Sequence, residues 1–176
     1  MNEIIKKNGI NFGIILGLIS VLFTTVIYAV DLHLFTSWWI GIVSIIIAIT
    51  IGVVLVSKTK KQMGGIISFK EAFTVYFIAA AIGSFISTLF YYILFNFIDT
   101  EAKETIKEIT LKYTADMMEK FGAPAASVNE TMQKLAETDN YSLGNLTFGF
   151  AIGLVLQAIF GLILAAIFKS KPSERS

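Results

Sequence analysis

The chain has 176 residues, of which 55% are hydrophobic and 15% charged, with a net charge of +1 and a mean hydropathy of +0.73. A soluble domain of this length needs a more polar surface, so a single membrane-embedded domain is expected, with the lipid bilayer as its main partner and no nucleic acid. Cys is absent, which removes disulfides, thiolate metal sites and thiol redox chemistry.

Four stretches contain no Asp, Glu, Lys or Arg: 9–30, 32–57, 72–98 and 140–168. Each exceeds the roughly 20 residues that cross a bilayer. In lipid the backbone must satisfy its own hydrogen bonds, so these stretches should be helices. The flanks 1–8, 58–71 and 169–176 carry nine basic residues (Lys171 and Arg175 among them) against three acidic ones, Glu174 included, for a net of +6. Segment 99–143 carries five Lys against nine acids, a net of −4. The positive-inside rule then puts both termini and the 58–71 link in the cytoplasm. The expectation is an all-α polytopic protein with spans at about 9–30, 37–57, 69–98 and 143–168. A helical hairpin, about 99–142, is inserted between the third and fourth, outside the cytoplasm. Lys6 and Lys7 before an apolar run resemble a signal peptide, but the run is long and no A-x-A site follows, so an uncleaved first span is expected.

In the first span Gly9, Gly13 and Gly17 are four apart and share one helix face, where another backbone can approach closely. Packing within the bundle is favoured over a homo-oligomer contact. A short outer turn, Asp31 to Ser37, leads to Trp38 and Trp39 at the level of an interfacial aromatic belt. The second span is rich in Ile and Val and should face lipid.

In the cytoplasmic link, Gly64 and Gly65 break the helix arriving from span two. Ser68 and Glu71 have capping-box spacing and predict a helix start at about Phe69. The lysines of this link set topology and can also attract anionic headgroups. The uncharged part of span three, 72–98, would measure about 40 Å against a hydrocarbon core of about 30 Å, so it must tilt or project. Ala80, Ser84 and Thr88, with Ala79, Gly83 and Ser87 beside them, read as helix-contact residues.

Beyond it, Ile98, Ala102, Ile106, Ile109, Tyr113, Met117 and Phe121 form one apolar helical stripe. Glu108 with Lys112 and Asp116 with Lys120 are spaced for i,i+4 ion pairs. Gly122 and Pro124 end this helix. Ser127 and Glu130 predict a second capping box, opening a helix to about Thr138 with Val128, Met132, Leu135 and Ala136 on one face. The last span carries Asn145, Gly149, Gly153, Gln157, Gly161 and Ala165 at four-residue intervals. Gly149, Gly153 and Gly161 read as packing positions. Gln157 needs an interhelical hydrogen-bond partner, sought among Asn11, Thr24, Ser84 and Ser87.

The string Gly65-Ile-Ile-Ser68-Phe69-Lys-Glu71-Ala-Phe73, with the four-span plan, the Gly-studded first helix and the long insert before the last span, resembles domain-of-unknown-function family 4199, DUF4199. The resemblance covers nearly the whole chain. It implies a small protein of the cytoplasmic (inner) membrane of Bacteroidetes-type bacteria, and it supplies no activity, cofactor or catalytic residue.

No G-x-S-x-G, H-E-x-x-H or Walker motif occurs. Asp31 and His33 lack a third and fourth ligand for a metal. Glu101, Glu104 and Glu108 read as a solvated face. Sequons at Asn129 and Asn145 are discounted, the latter opening a span. The spans hold no ionisable residue, which argues against proton coupling, and glycine packing is expected to leave little room for a cavity within one protomer. The expected protein has no cofactor and no enzymatic activity, and its acidic outer hairpin contacts a protein partner or senses the envelope. One alternative is a transport or channel component assembled through Gly9, Gly13, Gly17 or Gly149, Gly153. Another is a membrane-interface enzyme using Asp99, Glu101 and Glu104.

Overall fold

A computed structural model describes residues 2–170, so Lys171, Glu174 and Arg175 of the basic flank lie outside the described residues. Helix α1 (Glu3–Val30) opens on Asn2, whose side chain accepts from the Ile4 N–H at 2.8 Å. A 3-10 turn at Leu32–Thr36 leads to α2 (Trp38–Gln62). Helix α3 (Phe69–Ile93) runs on into a single π-helical turn, Leu94–Ile98, closed by the Asp99 N–H donating to the Leu94 carbonyl at 2.8 Å. Then follow α4 (Thr100–Lys120), α5 (Ala125–Glu137) and α6 (Leu143–Phe168). No strand occurs among the described residues.

Four of these are long and apolar enough to cross a membrane: α1, α2, α3 with its π turn, and α6. In their most apolar windows only 17% to 22% of residues are buried by protein. Apolar residues such as Ile45, Ile46, Leu156 and Ile163 are exposed, a surface that only lipid can cover. The protein is an integral membrane protein.

Helices α2 and α4 end alike. In each, a residue with positive φ (Gly64 at 77°, Gly122 at 74°) follows the last turn and closes a Schellman motif. The Gly65 and Gly64 N–H groups donate to Lys60 and Lys61, and those of Ala123 and Gly122 to Met118 and Glu119. Any side chain at Gly64 or Gly122 would strain the backbone there.

Helix α3 is the hub. A Cβ on Gly9, Gly13 or Gly17 would stand 2.8, 2.7 and 2.6 Å from side-chain atoms of Ile78, Ile82 and Ile86. Three knobs thus fill three holes in the same chain order, so α1 and α3 run parallel. Gly83 of α3 receives Leu16 in return, at 2.8 Å. Helix α6 runs the other way, with Gly161 against Tyr76 and Phe150 against Phe85. Helix α2 is antiparallel to α1. Buried Asn8 donates from Nδ2 to Thr59 Oγ1 at 3.0 Å and to Gln62 Oε1 at 2.7 Å. These pairings give an up-down-up-down bundle whose elbow end gathers the start of α1, the 63–68 link and Ser170.

The core is split. At the elbow end Ile5, Leu55, Val56, Val75, Ala79 and Leu164 are packed together. At the opposite, far end a second cluster of Leu94, Phe95, Ala102 and Ile106 is walled by Tyr28, Phe35, Tyr91 and Tyr141. Buried residues of α2 are confined to Gly52, Leu55, Val56 and Thr59, so it grips the bundle only at the elbow end.

Two expectations about 99–142 are corrected. Helix α5 starts at Ala125 with Pro124 as its N-cap, and Ser127 makes no cap. Pro124 already holds φ at −59° and delivers the chain into the helix, which leaves Ser127 inside the first turn, its carbonyl accepting from Thr131 at 2.8 Å. Glu130 instead pairs with Lys134 at 2.7 Å. Neither Glu108–Lys112 nor Asp116–Lys120 is among the ion pairs of the described residues; exposed i,i+4 pairs are worth so little that one of the type can form while others do not. The apolar stripe of α4 is fully buried only at Ala102 and Ile106 and half-buried at Ile109 and Met117, whereas Phe121 at its other end is 83% exposed.

Candidate functional site

Between the two cores the bundle contains a recess of about 410 Å³, walled by α3 and α6 with Leu16 and Ser20 of α1 and Ala48 of α2. The expectation that glycine packing would leave little room for a cavity within one protomer is therefore corrected. Gly149 and Gly153, expected at a helix contact, have nothing within 4 Å of where a Cβ would stand, and both line the recess. Gly161, two intervals beyond Gly153 and three beyond Gly149 on the same stripe, does meet a neighbour: the Tyr76 ring, at 2.7 Å. A small-residue stripe is compatible with either close contact or hollow space, and this one supplies both. The hollow opens where α2 has left the bundle.

Tyr76 and Gln157 form the elbow-end floor of the recess, the Tyr76 hydroxyl donating to Gln157 Oε1. Gln157 therefore bonds to α3, as expected, but not to Asn11, Thr24, Ser84 or Ser87. A tyrosine two to three turns below those serines reaches across because Gly161 lets its ring lie against α6. Thr24 bonds to the Tyr91 hydroxyl at 3.3 Å, and Asn11 is exposed.

At the far end α4 is fastened to the bundle. The Tyr28 hydroxyl donates to Asp99 Oδ2 at 2.5 Å, while Asp99 Oδ1 caps α4 by accepting from the Ala102 N–H at 2.9 Å. Phe95 is fully buried, with Tyr141 at 4.2 Å and Phe35 at 5.8 Å between ring centroids. Lys103 Nζ lies 3.0 Å from Asp139 Oδ2 and ties α4 to the loop that enters α6. Asn145 Nδ2 donates to the Asp139 carbonyl at 2.8 Å, and Asn96 Nδ2 donates to that of Tyr141 at 2.8 Å. The sequence signals missed here are Tyr28 and Asp99, an aromatic hydroxyl and a carboxylate at the two span ends, 71 residues apart.

The electrostatics follow from these contacts. The Tyr28 hydrogen bond, with the Ala102 N–H, holds the Asp99 carboxyl below its ordinary value of 3.8. Burial pushes Asp139 up, but the Lys103 hydrogen bond and the Tyr141 N–H outweigh it, and the net shift is downward. Burial, and then Tyr91, raises the Tyr141 hydroxyl. A carboxyl whose value is depressed on folding stabilises the folded state above its unfolded value and loses that contribution as pH falls through the folded one. An Asp99→Asn variant should therefore melt below the wild type at pH 7, and the gap should close as pH drops below 3.8. Thermal melts across that pH range measure it.

At the elbow end the capping box forms as expected. The Ser68 N–H donates to Glu71 Oε2 at 2.8 Å and the Glu71 N–H to Ser68 Oγ at 3.2 Å. Gly65 has φ 85°, Phe69 is 38% exposed, and Phe73 stacks on Phe77 at 5.6 Å. The elbow also holds the end of α6: the Ile67 N–H donates to Ser170 Oγ at 3.1 Å, and the Ser170 N–H donates back to the Ile67 carbonyl at 2.9 Å. Lys60 Nζ caps the same helix by donating to the Phe168 carbonyl at 3.2 Å.

Asp31 and His33 pair at 2.9 Å in the exposed 3-10 turn, and Glu101, Glu104 and Glu108 are exposed along α4. Among the described residues no three His, Asp or Glu side chains are grouped to hold a metal ion. Gly9, Gly13 and Gly17 are occupied by α3, which removes them as a contact surface for a second copy.

A protein-family model described as "Protein of unknown function (DUF4199)" matches residues 11–170. No curated protein and no solved structure matches the chain.

Proposed function

The chain belongs to this DUF4199 family of unknown function, and we propose that it is a non-enzymatic membrane component that contacts a protein partner through α4 and α5. The observation that carries this reading is the rigid mounting of α4. Its first turns are buried at Ala102 and Ile106 and held by the Tyr28–Asp99 and Lys103–Asp139 contacts. Its distal half nevertheless keeps Tyr113 and Phe121 exposed. A platform ordered before binding loses little entropy on contact, and exposed aromatic side chains are favoured anchors at interfaces. The charge asymmetry of the sequence supports an orientation with both termini in the cytoplasm and α4–α5 outside, and the family resemblance implies the cytoplasmic membrane. Catalysis at Asp99 is disfavoured, because both its oxygens are already engaged.

Photo-crosslinking amino acids at positions 113 and 121, compared with 45 and 156 on the lipid-facing helices, test this reading in intact membranes. Discrete protein adducts at 113 and 121 alone are the expected result. Adducts absent from α4 while present on α2 or α6 would move the partner surface into the membrane.

A further inference from the structure

Beyond the partner surface, we propose that the recess between α3 and α6 is a binding site for an uncharged, hydroxyl-bearing single-chain lipid of the monoacylglycerol type. Its position within the spans comes first. The lining follows α3 from Tyr76 to Tyr91, fifteen residues, or about 22 Å of helix. The recess is therefore long and narrow, and it lies where an acyl chain lies. Its α6 wall is open to the surroundings, since Gly149 and Asn145 are exposed. What reaches such an opening from the side is dissolved in the membrane.

The chemistry of the lining then selects among lipids. No charged side chain lines it, so an ionised headgroup would lose its hydration without gaining a counter-charge. Its polar groups include the Ser20, Ser84, Ser87 and Thr88 hydroxyls and the Asn145 and Gln157 amides, with Asn140 and the two tyrosines at its ends, which offer donors and acceptors together. Elsewhere in the spans, hydroxyls such as Thr25, Ser44, Thr50 and Thr147 donate to the carbonyl four residues back. The hydroxyls of Ser20, Ser84, Ser87 and Thr88 make no such bond and have no partner among the described residues. Gln157 uses its oxygen for Tyr76, while its amide nitrogen is without a partner. A run of neutral groups with unspent hydrogen-bonding capacity beside an apolar wall complements a hydroxylated head on an aliphatic chain.

The test is photolabelling of the full chain in lipid nanodiscs with a diazirine-bearing monoacylglycerol, mapped by peptide mass spectrometry. Labelling is expected on 84–91 and 145–157. It should fall about tenfold in a Gly149→Leu/Gly153→Leu variant, which fills the recess, while labelling at Ile45 and Ile46 is unchanged. Because a Cβ at Gly149 or Gly153 would meet nothing within 4 Å and the rest of each leucine has the recess to enter, this variant should keep the wild-type melting temperature. A Ser84→Ala/Ser87→Ala/Thr88→Val variant, which removes the hydroxyls without filling the space, should also reduce labelling. The proposal is overturned by labelling that neither variant changes, by equal labelling with the matching ionised fatty acid, or by adducts in which the recess residues join a second copy of the chain.

Discussion

A Gly13→Leu substitution should cost the bundle about 3 kcal/mol or more, the upper range of overpacking penalties. The new Cβ alone would stand 2.7 Å from the Ile82 Cβ and 3.0 Å from the Ala79 carbonyl oxygen. Neither atom is the free end of a flexible side chain, so relief requires α1 and α3 to separate. Separation would also withdraw Ile78 and Ile86 from Gly9 and Gly17, because the three pairs share one register. The gain in helix propensity on losing a glycine, about 1 kcal/mol, is too small to compensate. Gly41 provides the control, since a Cβ there meets nothing within 4 Å; Gly41→Leu should leave the melt unchanged or raise it slightly. Thermal unfolding in detergent, followed by circular dichroism for both variants, measures the contrast.

Phe95→Ala should cost about 3–5 kcal/mol, as expected for deleting a fully buried aromatic side chain. Phe95 touches Phe35 from the 3-10 turn, Tyr91 from α3 and Tyr141 from the loop before α6. Its loss opens the cluster that covers Ala102 and Ile106, so the damage should be local as well as global. Limited proteolysis should cleave α4 and α5 in the variant at protease concentrations that spare the wild type, while the elbow end stays protected. Equal protection of α4 in both proteins would mean that the aromatic cluster does not hold it.

The spans are legible in the sequence because lipid imposes one strong rule, the exclusion of charge. The start of α3 is legible because Ser68 and Glu71 satisfy backbone donors locally, with no help from distant residues. The same local rule misplaced the start of α5, where Pro124 fixes the backbone three positions before Ser127 can act. The glycine stripes of α1 and α6 look alike in the sequence, yet one is filled by isoleucines and the other lines open space. The difference depends on α2, which packs into the bundle only from Gly52 onward, and a single helix's periodicity carries no information about its neighbours. The contacts of Tyr28 with Asp99 and of Tyr76 with Gln157 were hidden for a related reason. Each joins residues far apart in sequence through the length of a tyrosine, which helix spacing does not register.

The central claim is a bundle with its elbow and termini on one side of the membrane and α4–α5 on the other. The natural chain has no Cys, so a single introduced thiol reports on one place only. Lys60→Cys and Ala125→Cys variants should react with a membrane-impermeant maleimide from opposite sides, position 125 in intact cells and position 60 only after the membrane is opened. Labelling of both positions from the same side would contradict the account.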